Sequence, residues 1–276
     1  MNSEAARPSL APVNHRRADR VFLSTLIALG SIYLLLIVAL LVADGSFVRV
    51  ADLRAALESK EIQYAIRLSL LSCTLSSVMA LWVAVPLAYL LARFDFRGKR
   101  VVDAIVDIPV VLPPLVLGLS LLILFQTALG DAVESILPVT FRVPAVVLAQ
   151  FTVATAFAVR TLRVSFEQID PRTEQVAWTL GCSRAAAFFR VVLPQARHGL
   201  VAAVTLAWAR AFGEFGPILV FAGATRMRTE VLSTTVFLEL SLGKIESAVS
   251  VSMLMIAFAM VVLVLARVLG LRKAGR

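Results

Sequence analysis

The chain has 276 residues, of which 59% are hydrophobic and 16% are charged, and its mean hydropathy is +0.88. Soluble domains contain about 45–50% apolar and about 25% charged residues. The composition therefore excludes a soluble or a disordered protein and indicates a membrane protein. The net charge of +9 is explained by basic residues that flank membrane spans, so no nucleic-acid partner is expected.

Six apolar segments are predicted as membrane spans, each of which needs about 20 residues. They cover residues 21–43, 62–91, 105–129, 144–159, 200–222 and 248–269. Residues 21–271 are predicted to form one all-α, polytopic transmembrane domain, flanked by polar tails at 1–20 and 272–276. The first apolar segment is longer than the about 7–15 apolar residues of a cleaved signal, so it is predicted to be retained.

The distribution of Lys and Arg predicts the orientation of these spans. With the N-terminus inside, the inside segments hold 18 of these residues and the outside segments hold 8. Cytoplasmic segments of membrane proteins carry the excess of positive charge. Both termini and the polar segment 160–198 are therefore predicted to be cytoplasmic.

Catalytic and metal-binding patterns are missing from the sequence. It contains no P-loop, no Ser-His-Asp set and no zinc-protease motif. His15 and His198 are too far apart to suggest a metal site, and Cys73 and Cys182 lie in unlike segments, so no structural disulfide is expected. An intramembrane enzyme is thus disfavoured. A transporter, a channel or a subunit of one is expected, with energy from another chain or from an ion gradient.

The polar segment contains the signals of two consecutive helices. Asp170 and Pro171 are typical of a helix start, and Gly181 is typical of a helix end after Leu180. A cap at Ser183 then predicts a second helix that ends at Pro194. The apolar members of this elbow are Val176, Leu180, Phe188 and Phe189. Two interpretations stay open, because such an elbow can dock into a groove on a partner or pack under its own bundle.

This segment resembles the coupling loop of permease subunits of ABC importers, the E-A-A–x3–G–x9–I–x–L–P motif. Gly181 and the stretch Val191–Pro194 match at the right spacing, whereas Gln175 stands in place of the glutamate. The resemblance implies that loop 166–197 docks into a cleft of a separate ATPase. The residues that it assigns to coupling are Glu174, Gln175, Val176, Ala177, Leu180, Gly181 and Pro194.

Two further stretches resemble permeases for tetrahedral oxyanions. Residues 107–118 are similar to the I-P-x-x-x-P-P-x-x-x-G stretch of that group, and residues 209–216 are similar to its A-R-A-x-G-E-F-G stretch. The resemblance implies import of molybdate or tungstate, with sulfate as the alternative. Iron and thiamine permeases share weaker versions, usually on roughly doubled chains, so an iron or other cargo is a less favoured alternative.

The same resemblance implies the partners of the chain. They are a second permease copy, forming a homodimer, a pair of ABC ATPase subunits, and an extracytoplasmic oxyanion-binding protein. The chain itself would bind no cofactor, since ATP and Mg would sit on the ATPase, and it would lie in the lipid bilayer of a bacterial or archaeal plasma (inner) membrane. A stand-alone secondary transporter is disfavoured, because the sequence shows neither inverted repeats nor an acidic relay within its spans.

Charged and helix-breaking residues within the spans are candidates for the translocation path. Arg210 and Glu214 are four residues apart on one face of the fifth span; they can brace a bend at Gly213, Gly216 and Pro217, or Arg210 can meet a passing anion. The prolines of the third span can line a path or simply kink a helix. The candidate path residues are Pro113, Pro114, Gly118, Arg210, Gly213, Glu214 and Gly216.

Hydroxyl residues in the second span are assigned to packing, because they allow close helix approach. These residues are Ser69, Ser72, Thr74, Ser76 and Ser77.

Overall fold

The computed structural model describes residues 15–272, which form fourteen α-helices, one π-helical turn and no β-strand. The predicted all-α fold is confirmed. Residues 1–14 and 273–276, which make up most of the two predicted tails, lie outside the described residues. The first helix, α1 (His15–Phe47), begins within the predicted N-terminal tail and forms a unit of its own.

A second unit begins at Val48 and holds the remaining helices. They are α2 (Val50–Glu58), α3 (Lys60–Arg93), α4 (Lys99–Val111), α5 (Pro114–Leu124), α6 (Ala128–Ile136), α7 (Val143–Glu167), α8 (Pro171–Thr179), α9 (Arg184–Ala187), α10 (Leu193–Gln195), α11 (Arg197–Phe212), α12 (Gly216–Phe221), α13 (Leu232–Ser241) and α14 (Ile245–Arg272). The π-helical turn, Phe188–Val192, joins α9 to α10. The single transmembrane domain predicted for residues 21–271 stays a prediction.

Four of the described helices, α1, α3, α7 and α14, are long and apolar enough to cross a membrane. The third predicted span is interrupted, because α4 and α5 meet at an angle of 114°. Pro113 and Pro114 lie at this bend, where the missing amide donors and the bulk of the rings end the first helix. Counted as one span, the bent pair raises the described candidates to five, against the six predicted.

The fifth predicted span is also divided. It forms α11, with 16 residues, and α12, with six, and neither reaches the about 20 residues that one crossing requires. The break runs from Gly213 to Phe215, directly before Gly216 and Pro217. The structure has a break at these positions, which splits the segment into two helices, and the bend itself stays a prediction.

Buried alanine side chains lie in the core between α3, α7 and α11. Buried alanines recur at every fourth position of each helix, which places them on one face. Small side chains let helix backbones approach closely, and helices in lipid depend on such contacts because lipid tails are as apolar as the side chains. The alanines are Ala80, Ala84 and Ala88 of α3, Ala154 and Ala158 of α7, and Ala203, Ala207 and Ala211 of α11.

Hydrogen bonds tie α3 to α7 inside this core. Ser76 Oγ donates to the backbone oxygen of Val147 at 2.9 Å, and Gln150 Nε2 donates to Cys73 Sγ at 3.4 Å. Buried polar groups need such partners, because an unpaired one would lose its bonds to water. Thr74 is exposed. The predicted packing role of the hydroxyl residues in α3 is confirmed for the four that are buried, Ser69, Ser72, Ser76 and Ser77.

The two short helices α5 and α12 cross at very close range. A Cβ placed on Gly118 of α5 would lie 2.7 Å from Pro217 Cα of α12. A Cβ on Gly216 would lie 2.7 Å from Pro114 Cβ and 3.0 Å from the amide nitrogen of Leu115. Both glycines therefore face the opposite helix where no larger side chain fits without moving it.

We expect Gly118→Ala to lower the thermal unfolding temperature of the purified chain, because the added methyl group costs about 1–3 kcal/mol of overpacking. Gly213→Ala is the matched control, since its Cβ would meet only the Ala209 carbonyl oxygen at an ordinary 3.6 Å. Thermal unfolding in one detergent compares the three proteins. An unchanged melting temperature for Gly118→Ala would contradict the close crossing.

Candidate functional site

Residues 170–197 form a helical elbow, which consists of α8, α9, the π-helical turn and α10 with their connecting residues. Its first helix begins as the sequence predicts. Asp170 Oδ1 accepts a hydrogen bond from the Arg172 amide at 2.9 Å, and Pro171 occupies the first helical position. The aspartate thereby satisfies one of the free amides that every helix start leaves.

The first helix of the elbow also ends where predicted. Gly181 has φ = +86°, a left-handed conformation that costs glycine little because it has no Cβ. Its amide donates to the Trp178 carbonyl at 2.9 Å, and the Cys182 amide donates to the Ala177 carbonyl at 3.0 Å. These two bonds form a Schellman motif, so the turn between the two halves of the elbow has one fixed geometry.

The second half of the elbow is an irregular helix. Ser183 caps it as predicted, with Oγ accepting a hydrogen bond from the Ala186 amide at 3.2 Å. The sequence predicts an end at Pro194, whereas the helix continues through the π-helical turn to Gln195. The wider turn removes the regular α register in which the proline ring would clash with the carbonyl group four residues earlier.

Glu174 points from the elbow into the bundle. Its Oε2 accepts a hydrogen bond from Tyr89 Oη at 2.7 Å, and its Oε1 accepts one from Arg93 Nε at 2.6 Å. Arg93 also donates to the Ile169 carbonyl at 2.8 Å. The side chains of Arg93 and Glu174 are only 9% and 4% exposed. We call these contacts the anchor, because they attach α8 to α3.

The anchor changes the interpretation of Glu174. The resemblance makes this residue a contact for a partner ATPase, but a buried carboxylate with two donors is already satisfied within the chain. Sequence reasoning did not find Tyr89 and Arg93, which precede Glu174 by 85 and 81 residues. The one signal was an arginine at the end of an apolar segment, and such residues usually only flank a span.

The outer side of the elbow carries an apolar patch, which consists of Val176, Leu180 and Phe189. These residues are 57%, 79% and 64% exposed, respectively. Val176 and Leu180 are four residues apart and share one face of α8. An exposed group of large apolar side chains on a polar segment indicates a surface that binds another protein.

The sequence left two interpretations open, docking to a partner and packing under the chain's own bundle, and each applies to one side of the elbow. Its inner side packs under the bundle, since Ala177 is buried and the Phe188 ring lies 4.6 Å from the Tyr89 ring. Its outer side is exposed and includes Gln175 and Pro194. Trp178 was missed; it lies four residues after Glu174, on the face of α8 that carries the anchor, and lines a pocket together with Tyr89 and Arg93.

A second group of predicted residues lies at the break between α11 and α12. Arg210 Nη2 is 3.3 Å from Glu214 Oε2; the glutamate side chain is 2% exposed and the arginine side chain is 39% exposed. The guanidinium carbon of Arg210 lies 4.8 Å from the centre of the Phe157 ring. Ser233 Oγ donates to the Glu214 carbonyl at 2.7 Å, which ties the break to α13. The ion pair joins the last turn of α11 to the middle of the break, in agreement with a bracing role.

The other candidate path residues fall into two groups. Gly118 and Gly216 are buried in the crossing of α5 and α12, where they serve close packing. Pro113, Pro114 and Gly213 are exposed at the two breaks. A path-lining role stays a prediction for these three.

A polytopic helical chain with a rigid, exposed elbow has the architecture of a transport permease. Residues 84–273 match the model of the family described as binding-protein-dependent transport system inner membrane component. The match covers more than half of the chain, so the chain belongs to this family of transport permeases.

Several relatives carry names that specify a cargo. A molybdate/tungstate transport system permease protein of Pyrococcus abyssi is 39% identical over 57% of this chain, which spans 60% of that protein. A probable molybdenum ABC transporter permease protein of Haloferax volcanii is 36% identical over 86% of this chain and 85% of that protein. A sulfate transport system permease protein of Escherichia coli is 31% identical over 74% of each chain.

A solved structure has the same fold. It is a bacterial ABC transporter involved in the import of the acidic polysaccharide alginate. The structural alignment covers 93% of this chain and 98% of that chain, with a TM-score of 0.74. The sequence identity is 17%, so the likeness concerns the fold alone.

We expect Glu174→Gln to destabilise the chain, because it leaves the buried Arg93 guanidinium without its counter-ion. Breaking a buried pair in this way costs about 3–5 kcal/mol. The thermal unfolding temperature should fall, and limited proteolysis should cut the elbow sooner. Gln175→Ala, at the exposed neighbouring position, should leave both measurements unchanged.

A double substitution tests the anchor independently of any general loss of stability. Removing both charges with Arg93→Gln and Glu174→Gln should cost less than the sum of the single changes, because the two residues interact. Additive costs would show that they do not form the anchor.

Proposed function

We propose that this chain is the transmembrane subunit of an ATP-driven importer and that the elbow couples it to a separate ATPase. The observation that supports this most directly is the contrast between the two sides of α8. The inner side is fixed to α3 by a buried ion pair, and the outer side exposes an apolar patch. A rigid element with one fixed and one exposed side suits the transmission of a partner's movement.

The elbow has two connections through which such a movement would travel. The anchor joins it to the end of α3, and Gln195 is followed after one residue by α11. α11 carries Arg210 and ends at the break, where Arg210 pairs with Glu214. Closure and opening of the ATPases would therefore act on the broken helices α11 and α12, which provides a route to alternating access.

For the cargo we propose a tetrahedral oxyanion, with molybdate or tungstate first and sulfate as the alternative. The supporting observations are the two stretches 107–118 and 209–216 and the printed functions of the relatives. Arg210 is the proposed contact for the anion, because its side chain is 39% exposed while that of Glu214 is almost fully buried. The acid would then hold the arginine in place from the protected side.

The proposed assembly contains a second permease copy, a pair of ATPase subunits that bind ATP and Mg, and an extracytoplasmic oxyanion-binding protein. The chain itself would bind no cofactor. Its place would be the plasma (inner) membrane of a bacterium or archaeon, with both termini in the cytoplasm. The excess of Lys and Arg in the segments predicted to be inside supports this orientation.

The coupling proposal predicts that Leu180→Asp removes the ATPase subunits from the complex that co-purifies with the tagged chain. A charge in a desolvated apolar contact opposes docking, and central interface residues contribute about 2 kcal/mol or more. The control is Phe96→Asp, which adds the same charge to another exposed apolar residue, in the turn before α4. Equal amounts of ATPase with Leu180→Asp and with the unsubstituted chain would argue against the elbow as the docking site.

The cargo proposal predicts a selective loss of uptake when the gene is deleted. Cells receive trace molybdate, tungstate and sulfate in separate cultures, and the element inside them is measured. A loss of molybdenum or tungsten is the expected result, and a loss of sulfur alone would indicate that the cargo is sulfate. Unchanged uptake of all three would refute an oxyanion cargo and leave the coupling proposal intact, and iron would be tested next.

A further inference from the structure

A cavity of about 990 Å³ lies between the end of α7 and the start of α11. One wall comes from Thr161 and Ser165 of α7 and from Gln168 directly after it, and the opposite wall comes from Arg190 of the π-helical turn and from the beginning of α11. The two helices come very close at this point, since a Cβ on Gly199 would lie 1.9 Å from Ser165 Oγ. The lining of the cavity is mixed, because the apolar residues Val164, Ile169 and Val191 stand beside the polar ones.

The charge of this cavity is predominantly positive. Arg190, Arg197 and His198 line it, and all three side chains are exposed to it or to solvent. Asp170 is the one acidic residue in the lining, and its Oδ1 already accepts the capping bond from the Arg172 amide. Two guanidinium groups can bind an oxyanion through paired hydrogen bonds, which is the geometry that suits arginine.

The helix faces that line the cavity extend along α7 and α11 toward Arg210. On α7, Phe157, Thr161 and Ser165 follow at four-residue intervals, which places them on one side of the helix. On α11, the same interval connects His198 with Arg210 through Ala202 and Leu206. The two faces meet at both ends: Thr161 and Ala202 line the cavity together, and the Arg210 guanidinium lies over the Phe157 ring.

We propose that this cavity is a binding site for a tetrahedral oxyanion on its way into the cytoplasm, with Arg190 and Arg197 as its charged ligands. The inference rests on the oxyanion cargo of the proposed function. It adds a second binding site for that anion, besides Arg210. A free anion that leaves Arg210 along the α7–α11 face meets these two guanidinium groups and the Ser165 hydroxyl next. A phosphate group of an anionic lipid has the same chemistry, so the experiment must separate the two sources.

The probe is tungstate, added to the full-length chain in nanodiscs that contain only zwitterionic lipid. Bound tungsten per protomer is measured after equilibrium dialysis. We expect the double variant Arg190→Gln with Arg197→Gln to bind tungstate at least about tenfold more weakly, because both charged ligands of the anion are removed. Arg97→Gln, an exposed arginine outside the cavity, removes the same kind of charge and should bind like the unsubstituted chain.

A second variant and a second lipid mixture complete the test. The replacement of both arginines by lysine keeps the charge but loses the paired hydrogen bonds, so it should restore part of the binding, which excludes misfolding as the cause of the loss. Nanodiscs with anionic lipid should still bind tungstate if the free anion is the ligand. If anionic lipid blocks tungstate and is itself retained only by the unsubstituted chain, the site belongs to a lipid headgroup and the inference is wrong.

Failure of this inference is distinguishable from failure of the proposed function. No tungstate binding in either lipid, or equal binding by the double glutamine variant, would overturn the cavity site, whereas selective loss of oxyanion uptake in the deletion strain would still support the importer. Unchanged uptake in that strain would instead refute the cargo on which the inference rests.

Discussion

The buried ion pair between Glu174 and Arg93 is the contact on which the geometry of the elbow depends. α8 has only nine residues, and helices shorter than about 12–15 residues are marginal in water because their nucleation is unfavourable. Its order must therefore come from the bundle, and the anchor supplies charge-assisted hydrogen bonds to α3. Since the apolar patch lies on the other side of α8, the same contact also determines how that patch faces a partner.

Inside the bundle, close packing of small residues holds the helices together. The alanine faces of α3, α7 and α11 form a tight centre, and glycines let α5 cross α12 where a methyl group would clash. Lipid offers little hydrophobic driving force between helices, so such contacts hold them together. A helix that is broken at Gly213 and braced by one ion pair is a place where this packing can change without unfolding the rest.

Local signals explain what the sequence could predict about the elbow. The cap at Asp170, the left-handed stop at Gly181 and the cap at Ser183 each depend on one residue and its immediate neighbours, and all three are confirmed. The helix ends at Gln195, one residue after the predicted end, and what the sequence missed is the π-helical turn Phe188–Val192, which has no one-residue signal comparable to a cap. Tyr89 and Arg93 were missed because they approach Glu174 only after α3 and α8 have folded against each other.

The sequence by itself determined the membrane class, the all-α fold, the breaks at proline and glycine, and the family resemblance. These features follow from composition, from short-range backbone preferences and from motif spacing. Only the tertiary structure decided that Glu174 faces inward, that Gly118 and Gly216 meet the opposite helix, and that a basic cavity opens beside α11. Each of these depends on residues far apart in the chain, because burial and charge pairing are properties of the packed helices and not of any single segment.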